Sequence, residues 1–250
     1  MERRRVVLGG LLTLLGAAFS STEPVAASDE SSVTGCWIPQ RMVPSYFGRS
    51  SGAMLFGADA GDLQRRSNIP GLDHALAQSL GMIARTFGVH PAFAFYRDGR
   101  GQENARATPE RLLQNADGTV LFGLDLLEEL LSRPSHGDAS VVAVCAHEFG
   151  HIVSYKNGDI EQLAPDSDQP FRAEQYADFM SGYFAGRRKL ERPDFPAVVF
   201  ATTCRGFGGG NHGTGEQRGE AVQAGFLAAY RDRMNTDDGV GAALKFAMSR

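Results

Sequence analysis

The chain has 250 residues with 42% hydrophobic content, enough for one substantial domain and too few for two large ones. Its formal charge is −4, and without residues 1–27, which carry three arginines and two glutamates, it becomes −5. That balance argues against nucleic acid as a partner, and no internal repeat or second membrane segment is visible.

At the N-terminus, Arg3, Arg4 and Arg5 precede an apolar run from Val6 to Phe19, shorter than the roughly 20 residues a membrane span needs. Val25-Ala26-Ala27 then offers a small-residue cleavage site before Ser28. Residues 1–27 therefore read as a signal peptide, and the protein is expected to be exported, periplasmic or secreted. Arg4-Arg5-Val6-Val7-Leu8 resembles a twin-arginine signal, which exports proteins already folded. Membrane attachment is expected only if this segment stays uncleaved. Residues 28–70, rich in Ser, Gly and Pro, read as an irregular N-terminal segment, and 71–250 as the folded domain.

Within that domain, Leu72, Leu76, Leu80, Ile83 and Phe87 recur at helical spacing, and Ala92 to Tyr96 reads as a strand with Phe93 and Phe95 on one face. Val141 to Ala146 is apolar all round, the composition of a buried helix, with Asp138 or Ser140 as its N-cap and Asn157-Gly158 as its stop.

This helix carries His147-Glu148-Phe149-Gly150-His151. Positions i and i+4 share a helix face, so both imidazoles can reach one Zn²⁺, while Glu148, about 100° round the axis, can face a water there. The competing reading is a buried helix with two incidental histidines. Phe171 to Leu190 reads as the next long helix, closing on Arg187, Arg188 and Lys189. On it Glu174 and Asp178 share a face, Glu174 as the choice for a third metal ligand and Asp178 to accept the N–H of a coordinating histidine. Alone, Glu174 would read as a solvated helix carboxylate.

Together these two segments resemble the gluzincin branch of the zincin metallopeptidases, in particular the exported and membrane-linked bacterial neutral zinc metallopeptidase groups. The resemblance implies Zn²⁺ held by His147, His151 and Glu174, Glu148 as general base, and a peptide or protein substrate. It also implies an α+β, zincin-like fold: a small mixed sheet packed on the metal-binding helix, then a mainly helical C-terminal half. Asn104-Ala105 followed by Gly118 to Gly123, and then Leu124 to Leu131, look like the strand and helix that precede the metal helix in such zincins, whose edge strand would pair with an extended peptide substrate. His212 to Arg218 is similar to a segment of the neutral metallopeptidase group, which suggests His212 or Arg218 as the stabiliser of an oxyanion, while His212 reads equally as a loop histidine capping the next helix. A metzincin is excluded, because its pattern continues with Gly and His where this chain has Ser154 and Asn157.

Gly206 to Gly210 reads as a loop, and Val222, Phe226, Ala229 and Tyr230 form the stripe of a last helical part. Cys145 reads as a small core residue, whereas Cys36 and Cys204 lie in segments that read as irregular, where a disulfide is one option. His74, His90 and His136 lie outside any ligand spacing. The expected activity is zinc-dependent peptide-bond hydrolysis outside the cytoplasm. Its rivals are a zinc amidase acting on cell-wall peptide links, and an inactive zinc-fold binding or chaperone-like protein.

Overall fold

The computed structural model describes residues 63–98, 101, 103–165 and 170–250. The signal-like segment, Cys36 and the irregular segment up to residue 62 lie outside them.

Helix α1 (Leu72–Phe87) buries Leu72, Leu76, Ile83 and Phe87 and stops at Gly88, whose φ of 68° closes a left-handed C-cap. Three strands follow: β1 (Ala92–Tyr96), β2 (Ala105–Thr108) and β3 (Thr119–Gly123). Their order in the sheet is β1-β3-β2, with β1 parallel and β2 antiparallel to β3. Strand β3 is thus central and buried at all five positions. The strand that leaves an edge next to the helical half is β2. Alternation along β1 puts Phe93 and Phe95 on the main core and Ala92 and Ala94 on a smaller cluster with Leu112 and Leu121.

Helix α2 (Leu124–Leu131) starts at Gly123 without a side-chain cap of its own. Asp98 supplies one from 27 residues away: its carboxylate accepts the backbone N–H groups of Asp125 at 2.8 Å and Leu126 at 3.1 Å, and that of Asn104 at 3.0 Å. One side chain thereby ties the end of β1 to the start of β2 and of α2. A Cβ at position 123 would sit 1.9 Å from Asp98 Oδ2, so glycine is required there.

The motif helix α3 (Gly137–Asn157) is buried almost all round and ends at Gly158, as its composition suggested. Its start differs from the expectation. Neither Asp138 nor Ser140 is the N-cap; His136, in the left-handed region at φ 57°, precedes a first turn at Gly137 that packs against the carbonyls of Leu130 and Leu131. The rest of the chain is helical: α4 (Ile160–Leu163), α5 (Phe171–Glu191), α6 (Val198–Gly206), a 3₁₀ turn (Gly210–His212), α7 (Gly215–Tyr230) and α8 (Thr236–Met248). The described residues are therefore mixed α+β and mostly helical, with β2 and β3 packed on α3. Among them, no helix is long and apolar enough to cross a membrane.

Glycines set how near the helices come. At Gly150 an added Cβ would lie 2.9 Å from Ala177 Cα, so α3 and α5 approach backbone to backbone. At Gly182 it would lie 1.9 Å from the Val222 carbonyl oxygen, and at Gly225 1.8 Å from that of Phe179, so α5 and α7 do the same. This close fit corrects the expected α7 stripe: its buried face is Arg218, Gly219, Ala221, Val222, Gly225, Ala228 and Ala229, while Tyr230 stacks on Phe226 and is 39% exposed. Gly182→Ala is expected to force α5 and α7 apart and lower stability by about 1–3 kcal/mol, the usual cost of overpacking. Denaturant unfolding of the metal-free protein measures it, and a parental midpoint would contradict the fit.

Candidate metal site

The approach of α3 and α5 across Gly150 brings Glu174 onto the two motif histidines. His147 and His151, one turn apart, place their ring centroids 4.9 Å apart. Glu174 reaches both, with Oε2 3.3 Å from His147 Nε2 and Oε1 3.6 Å from His151 Nε2. One ligand atom from each of the three lies within 4.8 Å of the others, and all three side chains are buried. Such a group could hold a metal ion. Glu148, equally buried, is not part of this trio. It lines a cavity of about 30 Å³ beside His147, walled also by Asn104, Ala105, Val144, Cys204, Phe207 and Arg218.

Two observations test the trio against a cation. His151 is fully buried, yet neither of its ring nitrogens has a hydrogen-bond partner, an arrangement that costs about 1–3 kcal/mol unless something else satisfies the group. Burial first, against the partly offsetting charge of Glu174, pushes its pKa down to about 3, so the imidazole is neutral and able to donate a lone pair. The second observation is the donor set: two buried imidazoles and the buried Glu174 carboxylate bring one ligand atom each within 4.8 Å of the others. Such a set fits a metal ion.

Asp178, one turn beyond Glu174 on α5, places Oδ1 2.8 Å from His147 Nδ1. Burial alone would raise its pKa, but Arg218 and His147 outweigh that and hold it below the ordinary carboxylate range. Glu174 behaves alike: burial opposes ionisation, while the His147 hydrogen bond and the neighbouring His212, His151 and His147 hold its carboxyl well below the usual value. Asp178→Asn is expected to weaken metal binding roughly ten- to a hundred-fold, as loss of a carboxylate behind a ligating histidine does. Isothermal titration with Zn²⁺ reads it, and an unchanged affinity would remove Asp178 from the site.

Arg218 lines the same small cavity as Glu148 and His147. It is 2% exposed, with Nε 2.8 Å from Asp178 Oδ2 and Nη2 2.9 Å from Asp178 Oδ1, and Nη1 donates to the Phe207 carbonyl at 3.1 Å. Its guanidinium is held by Asp178 and the Phe207 carbonyl while lying on that cavity's wall. The nearest signal in the sequence is its place in the first turn of a capped helix, which does not reveal a partner 40 residues away. His212 ends the 3₁₀ turn, partly exposed and near enough to Glu174 to act on its ionisation. Next to that turn Phe171, Asn211, Thr214 and Gln217 line an open depression of about 440 Å³.

Of the cysteines, Cys145 is a buried core residue, as expected. Cys204 lies on α6, not in an irregular segment, and its thiol is free, buried and pushed up in pKa by that burial and by Asp178. His74, His90 and His136 are exposed and away from the trio. Comparison with protein-family models, curated proteins and solved structures finds no match for the chain.

Proposed function

We propose that this chain is a zinc-dependent metallopeptidase of the gluzincin type, with His147, His151 and Glu174 as ligands and Glu148 as general base. The observation that carries this reading is the buried His151 imidazole, without a hydrogen-bond partner at either nitrogen, 3.6 Å from a carboxylate shared with His147. Two imidazoles and a carboxylate are the donor set of catalytic zinc. When bound, such an ion lowers the pKa of water to about 7 and polarises a carbonyl.

The chain's own residues do the rest. Glu148, on the wall of the small cavity, takes a proton from the attacking water and delivers it to the leaving amine. Asp178 holds His147 in the tautomer whose Nε2 faces Glu174. His212, near enough to Glu174 to act on its ionisation, and Arg218, on the wall of the cavity with Glu148, are the residues for stabilising an oxyanion. A peptide is favoured as substrate because β2 is an edge strand and its start, Asn104-Ala105, walls the cavity beside Glu148; an extended chain added there runs past the base. The Arg3 to Ala27 pattern supports export, so the reaction is placed outside the cytoplasm.

The test is incubation of zinc-loaded protein, residues 28–250, with a mixed peptide library against a Glu148→Gln control. Cleavage by the parent and not by the control supports the proposal. Zinc uptake with no cleavage in either would turn the reading to a binding or chaperone-like protein.

A further inference from the structure

We infer that Arg218 is a positioning residue for the metal centre: its guanidinium fork fixes the Asp178 carboxylate so that Oδ1 meets His147 Nδ1 and His147 Nε2 is aimed at Glu174. This inference rests on the metal reading proposed above. A carboxylate turns readily about its last torsion, and one hydrogen bond to an imidazole leaves that rotation open. Two parallel N–H donors from a rigid planar fork close it. Here Nε takes Oδ2 at 2.8 Å and Nη2 takes Oδ1 at 2.9 Å, the same oxygen that lies 2.8 Å from His147 Nδ1. Nη2 also lies 3.9 Å from Glu174 Oε2, so one guanidinium spans Glu174 and Asp178 of α5.

The fork is itself anchored. Nη1 donates to the Phe207 carbonyl, and the first turn of α7 is set by a capping box in which Thr214 and Gln217 exchange hydrogen bonds at 2.8 and 3.2 Å. The contact of Gly182 with Val222 brings that turn against α5.

Charge alone predicts the opposite effect. A cation beside a cation site repels the ion, so deleting it would tighten binding, and lysine would substitute for arginine. Positioning predicts weaker binding on deletion and no rescue by lysine. Zn²⁺ affinity and the visible spectrum of the Co²⁺-loaded protein are therefore measured for the parent, Arg218→Lys, Arg218→Gln, Asp178→Asn and the Arg218→Lys/Asp178→Asn double variant. Both Arg218 variants are expected to bind Zn²⁺ about tenfold or more weakly, with a shifted Co²⁺ spectrum. The double variant should lose no more than Asp178→Asn alone, because both act through one carboxylate.

Parental or tighter affinity with a parental Co²⁺ spectrum in the Arg218 variants would overturn the inference, as would losses that multiply in the double variant. Should those variants not fold, Thr214→Ala tests the same link from an exposed position. Loosening the turn is expected to weaken Zn²⁺ binding about two- to fivefold, and parental affinity there would overturn the inference. A parent that takes up neither ion removes the metal reading and this inference together; a parent that binds while the variants stay parental removes only the role of Arg218.

Discussion

Glu148→Gln is expected to keep the fold and the metal and to lose most turnover, roughly 10²- to 10⁴-fold, as removal of a general base does. Glutamine matches glutamate in size, so the small cavity keeps its shape, and the trio that could hold the ion does not include position 148. What goes is the ability to accept a proton from water. Steady-state cleavage of a selected peptide, alongside metal analysis, checks both halves. Parental turnover in a zinc-retaining variant would show that some other residue is the base.

His151→Ala is expected to act one step earlier and abolish both metal and activity. This imidazole has no structural hydrogen bond to lose at either nitrogen, so its removal costs packing and little else, and the variant should still fold when metal-free. Its far-ultraviolet dichroism should match that of the metal-free parent. A His151→Ala protein that still bound zinc at parental strength would show that the ion sits elsewhere.

The half of the site on α3 and α5 was legible because helical period alone decides it: His147 and His151 recur at i and i+4, and so do Glu174 and Asp178. What brings the two pairs together was less visible, since Gly150 inside the motif looks like a weak point of a helix until the Ala177 backbone is seen against it. Arg218 was readable as a residue near the chemistry and not as the partner of Asp178, because that pairing depends on how closely α7 settles on Gly182 and Gly225. Of the sheet, Ala92 to Tyr96 followed from local pattern and Gly118 to Gly123 from the resemblance, whereas β2 beyond its first residue and the strand order did not. Placing β3 between β1 and β2 is a long-range choice, and Asp98, which fastens the three segments around it, carries no local sign that it caps a helix 27 residues on. The start of α3 was misplaced for the same reason: the Leu130 and Leu131 carbonyls decide it, not a capping side chain within the helix sequence.

The most direct test of a divalent metal at His147, His151 and Glu174 is elemental analysis of protein purified without added metal or chelator, followed by Zn²⁺ titration of the stripped form. The expected result is close to one zinc per chain, restored one-to-one on titration and absent from His151→Ala. A stripped parent that takes up no zinc, or one that takes up as much as His151→Ala, would contradict it.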